Sequence, residues 1–157
     1  MKLVLNIKRL SHFIFTTVFS FGMIWCANWF ANFLMSMGRR GVFDLAIISI
    51  HKVKNTGAAF NLLSNNPNVI IGLSFIALFS ILLFVIFNSN KLNSTISNSL
   101  GVLTAGIGMN FFERITKGYV TDYIDLNFIP NTPVFNVADI FIILGTTLLI
   151  CALFTKK

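Results

Sequence analysis

The stretch "VFNVADIFIILGTTLLICALF", residues 134–154, is apolar throughout except for a few small polar side chains and one carboxylate, Asp139. A helix needs about 20 residues to cross the hydrocarbon core of a bilayer, so this run is long enough to span it. A carboxylate within such a run is costly and is usually functional. The stretch predicts a membrane helix that carries a functional carboxylate about one and a half turns from its start.

Three further apolar runs lie at 13–35, 69–87 and 92–112. Each is also long enough to cross a membrane. The chain is 55% hydrophobic and only 11% charged, whereas a soluble domain is typically about a quarter charged. We therefore predict a membrane all-α protein with four transmembrane helices, folded as one integral-membrane domain over residues 1–157.

The first apolar run is preceded by Lys8 and Arg9, a charge pattern that is also typical of secretory signal peptides. The apolar core of a signal peptide has about 7 to 15 residues, and the run 13–35 is longer. We therefore expect it to be a retained first helix. Four helices then place both termini on one side of the membrane and the connecting segments 36–68 and 113–133 on the other.

The orientation in the membrane depends on the positive charges. The twelve Lys and Arg residues divide evenly, six on each side, so their number does not fix the orientation. Their clustering before the first helix and after the last favours cytoplasmic termini. The net charge of +7 is spread over short segments between apolar runs. This distribution indicates anchoring at the membrane surface and not nucleic-acid binding, which would cluster the basic residues on one face.

The stretch "GVFDLAIISIHKVKN", residues 41–55, alternates in part between apolar and polar side chains and is rich in Val and Ile. This pattern predicts one or two short strands. We expect a small β-rich element on the extracytoplasmic face, accompanied by a loop over 113–133.

The chain offers few residues that could bind a metal. Cys26 and Cys151 lie inside apolar runs, and His12 and His51 have no evident partners in the sequence. None belongs to a cluster with the spacing of a metal site. We expect no metal and no cofactor.

Two aspartates are the candidates for chemistry. Asp122 in the second connecting segment and Asp139 in the last helix lie near the same membrane face in the predicted topology. Two neighbouring carboxylates share a proton, so that one can activate water while the other protonates a departing amine. That is the chemistry of aspartic peptide hydrolysis. Two alternatives remain open: Asp139 can simply complement a helix dipole, and Asp122 can be a solvated loop carboxylate.

Three blocks carry a resemblance to a known family: "KNTGAAFNLL" (54–63), "AGIGMNFFERITKGYVTDYID" (105–125) and "TPVFNVADIFIILG" (132–145). In this order they resemble the bacterial lipoprotein signal peptidases, or type II signal peptidases, over most of the chain beyond residue 40. The resemblance implies an aspartic endopeptidase that cleaves diacylglyceryl-modified prolipoproteins before the lipidated cysteine and needs no metal. It also implies four helices in the bacterial cytoplasmic (inner) membrane, with the active site facing outward. We expect a monomer that contacts membrane lipid.

The resemblance also implies the site residues, with Asp122 and Asp139 as the catalytic pair. Supporting or substrate-binding roles are implied for Asn55, Gly57, Asn110, Arg114 and Asn136. Amides can hold the carboxylates and the scissile carbonyl, and Arg114 can pair with a carboxylate or a lipid headgroup. The small residues Gly57, Ala58 and Ala59 would let a substrate backbone approach closely.

The chain departs from the family pattern in two places. The family usually has an Asp and a Lys in a "DQxTK"-like stretch of the first helix, where this chain reads "WCANWFAN" (25–32). The block "MNFFER" (109–114) has Glu113 where the family has Asp. We expect Asn28, within the uncharged stretch, to tolerate substitution better than the two aspartates. We expect Glu113 to pair with Lys117, one helical turn further on.

Two other functions are alternatives to the peptidase. A non-catalytic lipoprotein-binding or assembly protein on the same scaffold would fit the divergent first helix. A small transporter would need polar residues at the membrane midplane and an internal repeat, and the sequence has neither. The presence of both aspartates favours a divergent but active peptidase, since a degenerate relative would be expected to lose one of them.

Overall fold

The computed structural model describes residues 5–57, 66–129 and 132–155. Within these ranges the helices and strands are, in chain order, α1 (Ile7–Met37), β1 (Phe43–Leu45), β2 (Ile48–Asn55), α2 (Pro67–Asn88), α3 (Ser94–Lys117), β3 (Val120–Leu126) and α4 (Val137–Phe154). The protein is mostly helical with a small β-rich element, as the sequence predicts.

Among the described residues, three helices are long and apolar enough to cross a membrane: α1, α2 and α4. The third helix, α3, was also predicted to span, but its composition does not meet the same criterion. It is rich in Ser, Thr and Gly and has two basic residues, Arg114 and Lys117, in its last turn. It lies at the centre of the helices and packs against all three of the others. Several of its polar side chains, among them Ser97, Ser99 and Asn110, are therefore buried against protein.

Close approach of α3 and α4 depends on two glycines. A Cβ atom at Gly106 would lie 2.6 Å from the carbonyl oxygen of Ala138, and one at Gly145 would lie 2.5 Å from the backbone nitrogen of Leu103. Real Cβ atoms do not approach other atoms so closely. Small residues at such positions let two membrane helices come together backbone to backbone. The contact at Ala138 sets the position of α4 directly beside Asp139.

The helix boundaries differ from the predicted ones in ways that their caps explain. α1 begins at Ile7 because the Asn6 side chain accepts the backbone N–H of Arg9 as an N-cap. α3 continues to Lys117 and ends at Gly118, whose φ of 79° is the left-handed conformation that glycine tolerates. α4 begins at Val137, so Asp139 lies in its first turn and not one and a half turns in.

The three strands form one antiparallel sheet in the order β1-β2-β3. The first two strands lie in the stretch that the sequence predicts as β-rich. β2 pairs with β3 from Ile48 opposite Leu126 to Asn55 opposite Val120, with an irregularity between Ile50 and Val53. This sheet brings the end of β2 beside the start of β3.

The prediction of a simple loop over 113–133 is wrong, because this segment includes the end of α3 and the whole of β3. The strand has Val and Ile positions that favour β structure, but its two aspartates obscured the pattern. Asp122 lies within this strand and only 3% of it is exposed. The alternative of a solvated loop carboxylate does not fit the structure.

Candidate active site

Asp139 takes part in the N-terminal cap of α4. The backbone N–H of Asp139 donates to Oδ1 of Asn136 at 3.1 Å, and the backbone N–H of Asn136 donates to Oδ2 of Asp139 at 3.1 Å. This reciprocal pair is a capping box, which satisfies two of the free N–H groups at a helix start. The helix-terminus interpretation of Asp139 is therefore correct for one of its two oxygens.

The second oxygen of Asp139 faces a different helix. Nδ2 of Asn110, a buried residue of α3, donates to Oδ1 of Asp139 at 2.7 Å. A capping role does not require this bond. It ties the carboxylate to the central helix and fixes its direction.

Both oxygens of Asp122 accept hydrogen bonds from amide side chains. Nδ2 of Asn136 donates to Oδ1 at 2.7 Å, and Nδ2 of Asn55 donates to Oδ2 at 2.8 Å. Asn55 reaches the carboxylate because it ends β2, the strand that pairs with β3. Asp122 is therefore held from two sides by neutral donors.

Asn136 connects the two carboxylates. Its side-chain amide donates to Asp122 and its backbone N–H donates to Asp139. The same side-chain amide lies 3.2 Å from Oδ1 of Asn110. Asn136 is 3% exposed, so this network is sheltered from solvent. The structure thus brings together Asp122, Asp139, Asn55, Asn110 and Asn136. These residues come from β2, β3, α3, α4 and the N-cap of α4.

Arg114 and Gly57 belong to the same region but have other partners than expected. The buried guanidinium of Arg114 donates through Nη2 to the carbonyl of Gly57 at 2.7 Å and through Nη1 to the carbonyl of Asn110 at 3.2 Å. The backbone N–H of Gly57 donates to Oδ1 of Asn55. Arg114 therefore holds the turn that carries Asn55, instead of binding a carboxylate directly. Ala58 and Ala59 lie outside the described residues.

The two carboxylates experience different environments. Burial raises the pKa of the Asp122 carboxyl above its ordinary value, and the nearby charge of Asp139 raises it further. The hydrogen bonds from Asn136 and Asn55 and the charge of Arg114 oppose this rise without cancelling it. Asp139 is half-buried and more accessible to solvent than Asp122. Burial therefore favours the protonated form of Asp122.

Glu113 has a role that the sequence reveals only in part. Its carboxylate pairs with Lys117 at 2.7 Å, as the one-turn spacing predicts. Its other oxygen accepts the backbone N–H of Thr121 at 2.7 Å. This second bond fixes the start of β3 against the end of α3, one residue before Asp122. Sequence spacing could not reveal it because it joins a side chain to the backbone of another element.

Two further side-chain contacts of β3 were not predicted from the sequence. Nε2 of His51 lies 4.0 Å from a carboxylate oxygen of Asp125 across the β2–β3 pair. The Tyr123 hydroxyl donates to Oδ1 of Asn28 at 2.8 Å. Within the part of the chain that the structure describes, no three His, Cys, Asp or Glu side chains are grouped so that they could hold a metal ion.

The residues of the polar network lie in the three sequence blocks that carry the family resemblance. A sequence model of that family, "Signal peptidase (SPase) II", matches residues 18–155. This chain belongs to the signal peptidase II family.

Individual proteins of known name and structure agree with this assignment. The lipoprotein signal peptidase of Streptococcus thermophilus is 32% identical over 117 residues, covering 74% of this chain and 72% of the relative. That of Caldanaerobacter subterraneus is 35% identical over 122 residues, covering 76% and 79%. A solved bacterial membrane enzyme superposes with a TM-score of 0.72 at 25% identity, covering 96% of this chain and 92% of the enzyme. The resemblance stated from the sequence is confirmed.

Proposed function

We propose that this member of the signal peptidase II family is an aspartic endopeptidase that removes signal peptides from diacylglyceryl-modified prolipoproteins, cleaving before the lipidated cysteine. Its family and its relatives named lipoprotein signal peptidase support a peptidase that acts on lipoproteins. The aspartic mechanism is carried by one observation: Asn136 donates to Asp122 from its side chain and to Asp139 from its backbone.

The two aspartates divide the proton transfers between them. Burial raises the pKa of Asp122 and favours its protonated form, so we assign it as the proton donor and the more accessible Asp139 as the base. Asp139 takes a proton from a water molecule as that water attacks the scissile carbonyl. Asp122 then gives its proton to the departing amine. The amine leaves with the proton of Asp122, and transfer of the single proton gained by Asp139 to Asp122 restores the dyad before the next turnover.

The surrounding groups orient the reacting atoms. Asn55 and Asn110 keep the carboxylates in fixed directions, since each donates to one carboxylate oxygen. Arg114 keeps the Gly57 turn against the site through the Gly57 carbonyl. Gly57 has no side chain, so we expect it to let a substrate backbone approach the site closely.

The proposed setting is a bacterial cytoplasmic membrane that four helices cross. α3 crosses inside the bundle formed with α1, α2 and α4, so its buried polar side chains, among them Ser97, Ser99 and Asn110, do not face lipid. Both termini are cytoplasmic, and the sheet and the dyad face outward. The chain acts as one integral-membrane domain over residues 1–157 and as a monomer that contacts membrane lipid.

The direct test is cleavage of a lipidated prolipoprotein by the purified full-length protein in detergent, followed as a gel shift to the mature form. We expect Asp122→Asn and Asp139→Asn each to lower the rate by about 10²- to 10⁴-fold. The double variant should be little slower than either single variant, because the two carboxylates act as one unit.

Asp125→Asn is the matched control. Asp125 lies on the same strand as Asp122, but it is partly exposed and faces His51. Its variant should cleave at the wild-type rate. Near-normal cleavage by Asp122→Asn or Asp139→Asn at equal protein concentration would reject the aspartic mechanism. A wild-type protein that binds the prolipoprotein and leaves it intact would support the non-catalytic alternative instead.

A further inference from the structure

Tyr123 connects three elements at the edge of the dyad. Its side chain is 4% exposed and packs in an apolar cluster with Ala31 and Met35 of α1. Its hydroxyl donates to Oδ1 of Asn28, also on α1, at 2.8 Å. The same hydroxyl accepts the backbone N–H of Val137 at 3.4 Å.

Two of the residues in this connection lie next to the catalytic carboxylates along the chain. Tyr123 directly follows Asp122 on β3, and Val137 lies two residues before Asp139 on α4. The N–H of Val137 is among the first-turn donors that have no partner within their own helix. The tyrosine hydroxyl therefore bonds the start of the helix that carries one carboxylate while its backbone carries the other.

The direction of the hydroxyl depends on Asn28. A tyrosine hydroxyl has a single hydrogen to donate, and here that hydrogen goes to the Asn28 carbonyl oxygen. The remaining lone pairs then face the Val137 N–H. Without Asn28 the hydroxyl would be free to rotate and the bond to α4 would lose its orientation. Burial raises the pKa of Tyr123 to about 12, so the hydroxyl keeps its hydrogen at neutral pH.

Near the carboxylates, the other described contacts of α1 with the catalytic elements are mainly apolar. α1 makes side-chain hydrogen bonds to α3, from Arg9 to Ser94 and from Thr16 to Asn98. These bonds lie in the first turns of α3, away from Asn110.

The buried α1 residues Ile24, Ala31 and Met35 contact α3, α4 and the sheet through non-directional contacts. Such contacts hold two elements together without fixing a distance to a fraction of an ångström. A directional hydrogen bond in a buried setting can do so.

We propose that Tyr123 and Asn28 form a positioning pair, in which α1 sets the spacing of the two catalytic carboxylates through the Tyr123 hydroxyl. This inference rests on the proposed aspartic mechanism. It assigns a role in the reaction to two residues that touch neither carboxylate, and it gives the uncharged stretch of α1 a specific task.

The test compares kcat and KM of Tyr123→Phe, Asn28→Ala and the double variant in full-length protein in detergent. We expect kcat to fall about tenfold in each single variant, because small displacements of reacting groups are costly, while KM changes little. The double variant should equal the slower single variant, since both changes break one connection. After this loss of kcat, Asn28→Ala should still be far more active than Asp139→Asn.

Two controls separate positioning from stability. Asn32→Ala removes an exposed amide of the same helix that bonds only to its own helix in the described structure. Tyr119→Phe removes the hydroxyl of the other tyrosine, whose ring lies beneath Lys54. Both should keep the wild-type kcat. The melting temperature of every variant is measured first, and the assay is run at a temperature at which all variants are folded. The measured kcat then belongs to folded enzyme.

The outcomes distinguish the inference from the function on which it rests. If wild type cleaves, Asp139→Asn does not, and Tyr123→Phe keeps the wild-type kcat, the positioning role is rejected while the peptidase stands. Losses in the two single variants that multiply in the double variant would also reject it. If wild type does not cleave, it is the proposed function that fails.

Discussion

At the scale of single residues, Asn136 has two tasks that substitutions can separate. Its Oδ1 caps α4 and its Nδ2 holds Asp122. Asn136→Ser keeps an oxygen that can cap the helix but has no amide to donate to the carboxylate. Asn136→Ala removes both groups. In the proposed mechanism Asn136 would serve both folding and chemistry, which would explain why the site coincides with a helix start.

We predict that Asn136→Ser keeps most of the stability but loses most of the activity, whereas Asn136→Ala also loses about 1 kcal/mol of stability. Asn93→Ala is the control, because Asn93 caps α3 in the same way through Ile96, far from the carboxylates along the chain. It should lose similar stability and keep its activity. Thermal unfolding in detergent and initial cleavage rates measure the two effects. Full activity in Asn136→Ser would contradict this account.

The raised pKa of Asp122 predicts how stability depends on pH. A carboxyl whose pKa is higher in the folded state binds more protons when folded, so its contribution to stability falls as pH rises above the ordinary value of 3.8 through the raised one. Asp122→Asn cannot ionise and does not undergo this loss. We expect the melting temperature of the variant, relative to that of wild type, to increase as pH rises through this window.

The measurement is thermal unfolding of both proteins in one detergent at a series of pH values. A gain of one kcal/mol corresponds to about 2–4 °C in a chain of this size. A melting-temperature difference for Asp122→Asn that stays constant with pH would show that Asp122 has the same pKa in both states.

At the scale of helices and strands, the backbone contact between α3 and α4 controls the site. Gly106 lies against Ala138, next to Asp139, and one turn before Asn110, which holds that carboxylate. A methyl group at Gly106 has no room and must push the start of α4 outward. β3 is joined to the residues just before α4 by the bridge between Ile124 and Phe135. We therefore expect a shift of α4 to displace Asp122 as well as Asp139.

We predict that Gly106→Ala destabilises the protein by about 1–3 kcal/mol through overpacking. Its kcat should fall, while its KM should change less. Gly72→Ala is the matched control, since nothing lies within 4 Å of its added Cβ on α2. It should be as active as wild type and as stable or slightly more so, because alanine favours a helix. A fully active Gly106→Ala would mean that α4 can shift without disturbing the dyad.

The elements that the sequence predicts well are those with a local pattern. The apolar runs of α1, α2 and α4 follow from hydropathy, and the first two strands from alternation and Val and Ile content. β3 was missed because Asp122 and Asp125 lower its apparent β propensity, while pairing with β2 stabilises it in the fold. Burial of Asp122 could not be predicted, since amides from distant parts of the chain compensate it.

The residues of the site follow the same rule. Resemblance to the family supplied Asn55, Asn110 and Asn136, but not which atom each contacts. Tyr123 and Asn28 are 95 positions apart, and no spacing in the sequence connects them. Such pairs become visible only when the helices are packed.

At the scale of the whole molecule, polar groups are gathered at one end of an apolar bundle. The dyad, its amides and Arg114 surround the end of α3 and the start of α4, and the sheet lies at this same end. The other end has the α2–α3 turn, where the backbone N–H of Asn6 bonds to Ser89. In the proposed orientation, the end that carries the dyad is the one that faces an exported substrate.

The proposed orientation predicts which positions a membrane-impermeant thiol reagent can reach. Ala46, in the β1–β2 turn, is exposed at the end of the molecule that carries the dyad, and Asn90, in the α2–α3 turn, is exposed at the opposite end. With Cys26 and Cys151 replaced by serine, Ala46→Cys should be labelled in intact spheroplasts. Asn90→Cys should be labelled only after the membrane is permeabilised. Cleavage by the cysteine-free parent confirms that the replacements leave a folded enzyme. Labelling of Asn90→Cys in intact spheroplasts, with Ala46→Cys protected, would invert the orientation, and labelling of both would mean that α2 does not cross the membrane.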